Sequence, residues 1–222
     1  MLLCALALVL AACGDDDEQP AENNPADTPP ASEQKAGCED VEQPPPRNDG
    51  GQKKPQNALD PGRTYQVELT TSCGTFTIRL DQKTSPNAAA SFAALARSGF
   101  FDDTIFHRIV PGFVIQGGDP TAGGSGGPGY STRDAVPADA AYDPGVVAMA
   151  KAGNEPPGTA GSQFFVVTGA DTGLTPDYAL LGKVTKGMDV VQEIGELGDP
   201  ASAGAGTPLK SVVIEGTKVR ER

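Results

Sequence analysis

Apolar and polar positions alternate in two neighbouring runs of the chain, residues 65–69 and 76–80. A period of two is typical of a β-strand that buries one face. The turn residues Ser72-Cys73-Gly74 separate the two runs. The pattern therefore predicts a β-hairpin with one buried face.

A helical period follows this hairpin. Apolar residues within 88–96 recur at the spacing of one helix face. Ser85-Pro86 is typical of a helix start, and Gly99 is typical of a helix end. A second short helix is predicted over about Met188–Leu197, so that the chain contains two helices.

After the first helix, the chain consists mainly of short apolar runs separated by loops rich in Gly and Pro. The runs cover residues 104–110, 113–116, 146–150, 164–168, 178–184 and 209–215. Many short strands with only two helices are typical of an all-β barrel. We therefore predict a mainly β fold, a closed antiparallel barrel capped by two α-helices.

Residues 14–60 lack aromatic residues and any apolar period. They contain 12 acidic and 4 basic residues, a net charge of -8 out of -12 for the whole chain. Such a segment cannot bury enough apolar surface to offset its conformational entropy. We predict a disordered, acidic, Pro-rich tether over residues 13–60 and a folded domain over residues 61–222. The negative charge and the lack of a basic stripe argue against nucleic-acid binding.

The first residues predict an export signal. Leu2–Ala12 is apolar throughout but too short to cross about 30 Å of hydrocarbon as a helix, so residues 1–12 are interpreted as a signal peptide. The run ends in Leu10-Ala11-Ala12-Cys13, which is similar to a lipobox, although no Lys or Arg precedes it. We expect Cys13 to be lipidated and the protein to be extracytoplasmic, held at the cell membrane by this lipid anchor alone.

Conventional catalytic sets of residues are nearly absent. The chain has one histidine, His107, and it has no CxxC, HExxH or GxSxG motif. Residues 124–129 match GxGxxG, but Tyr130-Ser131-Thr132 after them do not open a helix on which a pyrophosphate could bind. We therefore predict no metal and no cofactor.

Three segments carry a more specific signal. They are FHRIVPGFVIQGGD at 106–119, VAMA at 147–150 and GSQFF at 161–165. In this order and spacing, with LLGKV at 180–184 behind them, they closely resemble the cyclophilin family of peptidyl-prolyl cis-trans isomerases. The resemblance covers roughly residues 63–216. It implies an eight-stranded antiparallel barrel capped by two helices and an activity that rotates X-Pro bonds.

The resemblance also implies a substrate groove. Its catalytic residues would be Arg108, Phe113 and Gln116. The residues expected to bind substrate around them are His107, Val114, Gly124, Ala150, Lys151, Gln163, Phe165, Leu174 and Tyr178.

The chemistry of proline isomerisation explains why such a groove needs no nucleophile or metal. The barrier of about 18–20 kcal/mol is the loss of amide resonance, and no bond is broken. A guanidinium can donate to the prolyl nitrogen or the nearby carbonyl of the twisted amide, and it keeps its charge. We expect Arg108 to act in this way and Phe113 to hold the proline ring. Gln116 and Gln163 are expected to orient Arg108 and the peptide main chain.

Three departures from the family pattern concern the groove. The loop at residues 153–160 is longer than usual, Lys151 stands where the family commonly has asparagine, and Gly173 stands where many members have tryptophan. The alternative function is a proline-peptide-binding chaperone module that uses the same groove without required catalysis. The intact Arg108, Phe113 and Gln116 favour the enzyme, because a binding module could lose the arginine at little cost.

Cys38 and Cys73 are the cysteines that remain besides Cys13 after signal removal. An exported compartment permits oxidation, so we predict that these two cysteines form a disulfide bond. The expected partners are proline-containing unfolded or exported polypeptides. We expect a monomer.

Overall fold

The fold is built mainly from short antiparallel strands, and the computed structural model describes residues 37–222. The strands are β1 (Tyr65–Thr71), β2 (Gly74–Leu80), β3 (Thr104–Ile105), β4 (Arg108–Val110), β5 (Val114–Gly117), β6 (Thr132–Arg133), β7 (Val146–Met149), β8 (Thr159–Ala160), β9 (Phe164–Val167), β10 (Leu180–Lys186) and β11 (Val213–Glu221). The helices are α1 (Pro86–Arg97) and α2 (Met188–Gly195), and a 3₁₀ segment, Pro200–Ala205, precedes β11.

Nine strands form one antiparallel sheet in the order β3-β11-β1-β2-β10-β7-β9-β5-β4, and β6 pairs with β8. The edge strands β3 and β4 follow each other in the chain with only Phe106-His107 between them. Ile105 also forms a bridge with Asp119, just beyond β5. The sheet therefore curls until its edges are adjacent. The predicted mainly β fold with two helices is confirmed. A curled nine-stranded sheet, which we call the barrel, takes the place of the predicted closed eight-stranded barrel.

The first hairpin buries the face that the alternating pattern predicted. Val67 and Leu69 of β1 lie opposite Ile78 and Phe76 of β2, and all four side chains are fully buried. Burying a side chain of this kind stabilises the fold by about 1.5–3 kcal/mol. The hairpin is thus held by its inner face.

The helix α1 closes the core with an aromatic cluster. The ring centroid of Phe92 lies 4.6 Å from that of Phe101 and 5.2 Å from that of Phe164 in β9. The edge-on arrangement with Phe164 suits the charge distribution of two aromatic rings. These contacts connect the helix to the strands that carry the site.

The helix α2 begins directly after β10, and the turn between them requires Gly187. Its φ is +73°, and a Cβ there would lie 2.4 Å from the carbonyl oxygen of Thr75. Only glycine combines this backbone conformation with so close an approach. The turn sets α2 against the barrel, where Val191 and Ile194 are fully buried.

The last strand lies farther along the chain than predicted. The apolar pattern indicated residues 209–215, whereas β11 covers Val213–Glu221 and Leu209 is exposed. β11 pairs with β1 along its length, from Ile214 opposite Thr71 to Glu221 opposite Tyr65. Its second half is polar and partly exposed, so backbone pairing extends the strand where no apolar period marks it.

Residues 37–60 differ from the disordered tether that was predicted for this part of the chain. They contain no helix or strand, but they belong to the same compact unit as the barrel. The backbone N–H of Arg47 donates to the carbonyl oxygen of Pro120 at 2.8 Å, and Leu59 packs against the core. The segment lacks an apolar period, and individual contacts with the barrel hold it instead. The ordered chain therefore begins before residue 61.

The structure contains the predicted disulfide bond between Cys38 and Cys73. Next to it, the backbone N–H of Glu39 donates to the carbonyl oxygen of Ser72 at 2.8 Å. The predicted signal peptide, residues 1–12, and the predicted lipidation site Cys13 lie outside the described residues. Within residues 37–222, no helix has the length and apolar character needed to cross a membrane.

Replacing both cysteines, Cys38→Ala with Cys73→Ala, should lower the free energy of unfolding by up to about 3–5 kcal/mol. The bond joins residues 35 positions apart, so its loss gives the unfolded chain more conformations. Thermal melts followed by circular dichroism measure the effect as a lower Tm. Wild-type protein in reductant should melt like the double variant, and a Tm that neither change lowers would contradict the prediction.

Candidate functional site

The sheet register brings residues of four strands onto the outer face of the sheet. Arg108 of β4 pairs with Gln116 of β5, Gln116 pairs with Phe165 of β9, and Phe165 pairs with Ala148 of β7. Residues directly opposed on neighbouring strands point to the same face. A row from Arg108 to Ala148 therefore crosses this part of the sheet.

Both faces of the sheet are buried along this row. Phe164 belongs to the main core, whereas Phe165 belongs to a second, smaller apolar cluster on the outer face. Ile115 and Val114 of β5 divide in the same way. The outer cluster forms the floor of a surface cavity.

This cavity, which we call the apolar pocket, has a volume of about 320 Å³. Nine of the twelve residues predicted to bind or act on substrate line it. They are Arg108, Phe113, Val114, Gln116, Ala150, Lys151, Phe165, Leu174 and Tyr178. The other three, His107, Gly124 and Gln163, lie outside it.

A backbone carbonyl orients Arg108 at the rim of the apolar pocket. Its Nε and Nη2 donate to the carbonyl oxygen of Gly204 at 3.3 and 3.0 Å, and its Cζ lies 5.8 Å from the centroid of the Phe113 ring. We expected Gln116 and Gln163 to orient Arg108, and the carbonyl of Gly204 does so instead. Gly204 belongs to the 3₁₀ segment, far from the recognisable motifs in sequence.

The aromatic wall of the apolar pocket depends on Tyr142, which the sequence did not single out. Its ring lies 6.5 Å from that of Phe165 and 6.0 Å from that of Tyr178, centroid to centroid. The Tyr142 hydroxyl donates to the carbonyl oxygen of Tyr178 at 2.7 Å and accepts from its N–H at 3.0 Å. Burial raises the pKa of Tyr142, so this hydroxyl stays protonated at neutral pH.

A second cavity of about 760 Å³, which we call the side cavity, adjoins the apolar pocket. Gln116, Ala150 and Lys151 line both cavities. Gly124 and Gln163, two of the predicted residues outside the apolar pocket, line the side cavity. Eleven of the twelve predicted residues therefore lie along one continuous groove.

A chain of hydrogen bonds crosses the boundary between the two cavities. Gln116 Nε2 donates to Gln163 Oε1 at 3.1 Å, and Gln163 Nε2 donates to the carbonyl oxygen of Gly126 at 3.0 Å. The amides are thereby fixed in orientation. They tie the apolar pocket to residues 124–129, which line the side cavity and which we call the glycine-rich loop.

The buried Asp119 holds this glycine-rich loop from below and was also missed as a functional residue. Its Oδ1 accepts from the backbone N–H of Thr121 at 2.7 Å and from the Thr121 hydroxyl at 2.8 Å. Burial acts to raise the pKa of Asp119, but these bonds and the N–H groups of Gly126 and Gly124 bring it below its ordinary value. The ionised carboxylate therefore anchors the loop. Its signal in the sequence was only its place at the end of the first motif.

Lys151 is buried, with 3% of its side chain exposed. Its Nζ forms an ion pair with Asp177 at 2.7 Å, donates to the carbonyl oxygen of Glu155 at 3.0 Å and lies 5.7 Å from the Tyr178 ring centroid. Asp177 thus compensates the charge of Lys151. Of the two cations that line the apolar pocket, Arg108 is the one that forms no ion pair with a carboxylate of residues 37–222; it contacts the Gly204 carbonyl and the Phe113 ring.

His107 supports the groove rather than lining it. A Cβ on Gly124 would lie 3.7 Å from His107 Nε2, and Nδ1 is buried without a hydrogen-bond partner among the described residues. Burial lowers the pKa of His107, the charge of Asp119 partly opposes this, and Arg108 adds to the lowering. The imidazole is therefore neutral at pH 7.

The groove combines an apolar pocket with a guanidinium and with amides of fixed orientation. A guanidinium keeps its charge at any physiological pH, so it can donate hydrogen bonds without depending on a proton equilibrium. Within residues 37–222, no three side chains of His, Cys, Asp or Glu come together as a metal-binding group. The arrangement suits binding and polarising an amide next to an apolar ring.

The pKa of His107 should lie below 6.5, because burial penalises the imidazolium. The chain has a single histidine, so NMR of the untagged protein reports its titration directly. As the pH falls below about 6.5, His107 binds a proton in the unfolded chain but remains neutral in the folded chain. The free energy of unfolding therefore decreases in this range. His107→Gln should show a shallower fall of Tm between about pH 7 and pH 5. A midpoint at or above 6.5 would contradict the prediction.

The fold and the groove have counterparts in known proteins. The family model "Cyclophilin type peptidyl-prolyl cis-trans isomerase/CLD" matches residues 66–219. The peptidyl-prolyl cis-trans isomerase CYP18-2 of Arabidopsis thaliana is 35% identical over 167 residues, which cover 73% of this chain and 98% of the plant protein.

A cyclophilin type peptidyl-prolyl cis-trans isomerase of Cryptosporidium parvum has a similar solved structure. Its TM-score is 0.64 at 31% identity, over 71% of this chain and 98% of that one. The same protein in the presence of the dipeptide ala-pro gives a TM-score of 0.62 at 31% identity, over 70% and 98% of the two chains. The predicted isomerase activity is thereby confirmed, and the chain belongs to the cyclophilin-type peptidyl-prolyl cis-trans isomerase family.

Proposed function

We propose that this chain accelerates X-Pro bond rotation in exported polypeptides, with Arg108 stabilising the twisted amide. One observation carries the proposal: the guanidinium lies in the same cavity as the apolar side chains of Phe113 and Leu174. A proline ring in this cavity would have the preceding amide within reach of Arg108. The relative solved in the presence of ala-pro supports a proline-containing ligand.

The proposed catalysis is electrostatic. Rotation removes amide resonance, and the prolyl nitrogen gains a lone pair that can accept a hydrogen bond. A hydrogen bond from a charged donor is worth about 1.5–3 kcal/mol, so two of them reach about 4 kcal/mol, or roughly a thousandfold in rate. Substrate binding and exclusion of water in the apolar pocket supply the remainder.

The contact with Gly204 suits Arg108 to this role. A guanidinium has five N–H donors, and Gly204 accepts from two of its nitrogen atoms. Three N–H groups therefore remain for the substrate. The carbonyl orients the guanidinium without a neutralising carboxylate, so the full positive charge acts on the amide.

Arg108→Ala should lower kcat/KM by roughly 10- to 1000-fold, because it removes a donor that acts mainly in the transition state. Arg108→Lys should recover only part of the rate, since it keeps the charge but not the planar group. The measurement is isomerase rate together with peptide affinity and thermal melting. The exposed Arg220 of β11 forms an ion pair with Glu68 of β1 and lines neither cavity of the groove, so Arg220→Ala is the control variant. A folded Arg108→Ala protein with near wild-type turnover would sink the mechanism.

Phe113→Ala separates binding from catalysis in the same assays. It removes an apolar wall of the pocket, so peptide affinity should fall together with the rate. Wild-type protein that binds proline peptides without any rate enhancement would instead support the chaperone module. The two functions are thus distinguished by one pair of measurements.

Export and lipid anchoring form the second part of the proposal. The apolar run Leu2–Ala12 followed by Cys13 supports a lipoprotein signal. The bond between Cys38 and Cys73 supports an oxidising compartment, because such bonds are rare where thiols are kept reduced. The relatives named above are eukaryotic, so this part depends on the chain's own features.

Cys13→Ser should release the protein from the membrane fraction of a bacterial host, because it removes the thiol that would carry the lipid. Fractionation followed by mass spectrometry measures both the location and the added lipid mass. Wild-type protein that is soluble and carries no added mass would refute the anchor. The matched control is Cys38→Ser, which should leave the protein at the membrane.

A further inference from the structure

Residues 38–52, which we call the N-terminal strap, lie outside the part of the chain that the family model matches. The strap begins at the disulfide bond between Cys38 and Cys73, in the turn between β1 and β2. It ends at the glycine-rich loop, where the N–H groups of Gly51 and Gln52 donate to the carbonyl oxygen of Pro128 at 3.2 and 3.0 Å. The strap therefore reaches from the first hairpin to the groove.

Arg47 fixes the middle of the strap. Its Nη2 donates to the carbonyl oxygen of Phe100 at 2.8 Å, and its Nη1 donates to that of Asp102. Its Nε forms an ion pair with Asp49 within the strap at 2.9 Å. The guanidinium is thus used for holding the strap on the barrel, and Asp49 compensates its charge.

The barrel is shaped to receive the strap. Gly129 has a φ of +85°, and a Cβ there would lie 2.8 Å from the backbone nitrogen of Gly51. Any larger residue at this position would force the strap away from the glycine-rich loop. The close approach joins strap and loop into one wall.

That wall faces the groove. Asn48 and Gly50 of the strap line the side cavity together with the glycine-rich loop. Gln116, Ala150 and Lys151 line this cavity and the apolar pocket alike. A peptide whose proline occupies the apolar pocket would therefore continue into a space bounded by the strap.

We infer that the N-terminal strap is part of the substrate site and that Asn48 binds the main chain of the polypeptide beside the target proline. The inference rests on the proposed function, since it takes the apolar pocket as the proline site. The Asn48 side chain is exposed, and an amide offers both donors and acceptors to a peptide group. Asn48 would thus determine specificity for long, extended substrates over short ones.

The charges around the side cavity favour a main-chain ligand over a charged side chain. Lys151 is paired with Asp177. Glu155 accepts from the backbone N–H of Ala152 at 2.7 Å. The wall therefore offers mainly amide and backbone hydrogen bonds, which any extended polypeptide can satisfy. Recognition by length rather than by sequence suits an unfolded chain as the substrate.

The test compares an X-Pro tetrapeptide with two octapeptides that contain it. One octapeptide extends the tetrapeptide at its N-terminus and the other at its C-terminus. Asn48→Ala should reduce the ratio of the octapeptide kcat/KM to the tetrapeptide kcat/KM by about 2- to 10-fold for one of the two octapeptides. This is the effect expected from the loss of one hydrogen bond. The change should appear in KM. The exposed Asn57 lies beyond the strap, and Asn57→Ala should keep the wild-type ratio.

A second variant moves the strap without touching the groove. Arg47→Met removes the contacts to Phe100 and Asp102, so it should lower the same ratio, and Arg47→Lys should restore part of it. An octapeptide preference that none of the Asn48 and Arg47 variants changes would overturn the inference. Octapeptide affinity, measured by fluorescence anisotropy, keeps the two proposals separate. Lack of isomerase activity would refute the proposed function, whereas equal affinity of wild type and Asn48→Ala would refute the role of the strap.

Discussion

The pairing register of β4, β5, β9 and β7 is the constraint on which the site depends. Side chains alternate between faces along a strand, so a one-residue shift of β5 would turn Gln116 into the main core and Ile115 out of it. The core would then bury an amide in place of a fully buried apolar side chain, and the apolar pocket would lose Val114 and Gln116 from its lining. Burying a large apolar side chain contributes about 1.5–3 kcal/mol, whereas burying an unpaired amide costs free energy, so the core opposes any such shift. Folding of the core and construction of the groove are therefore one event.

The groove contains two cations that the fold treats in opposite ways. Lys151 is buried against Asp177, and it ties the long loop after β7 to the pocket by donating to the carbonyl oxygen of Glu155. Arg108 donates to the carbonyl oxygen of Gly204, which orients the guanidinium but carries only a partial negative charge. A carboxylate in that place would have compensated the charge, as Asp177 does for Lys151. The groove thus contains one cation that no carboxylate of residues 37–222 neutralises.

Periodic patterns and recognisable motifs predicted the parts of the molecule that follow local rules. The first hairpin, α1 and the residues of the apolar pocket lie in segments whose residue types suffice to indicate them, because alternation and motif spacing are properties of the chain itself. Gly204 and Tyr142 could not be found in this way. A carbonyl oxygen exists at every residue, and only the tertiary fold brings that of Gly204 to Arg108. Tyr142 acts through two hydrogen bonds to a residue 36 positions away.

Residues 37–60 show the limit of arguments from composition. Their lack of aromatic residues and of an apolar period predicted disorder, and these residues contain no helix or strand, yet contacts with the barrel order them. A hydropathy pattern cannot show the backbone hydrogen bonds of this segment to the barrel or the hydrogen bonds of the Arg47 side chain. The polar second half of β11 was missed for the same reason, since its order comes from pairing with β1.

The adjacency of β3 and β4 has a consequence for a protein of a family that binds proline-containing polypeptides. An open sheet edge presents a row of unpaired N–H and C=O groups, on which an extended polypeptide can add itself as a further strand. Here the two edge strands have two and three residues, and the edges lie next to each other because the sheet curls. Strands this short offer too few backbone groups to hold a further strand. At β3 and β4 a bound polypeptide therefore finds little backbone to pair with and is left to the groove, where side chains rather than strand edges receive it.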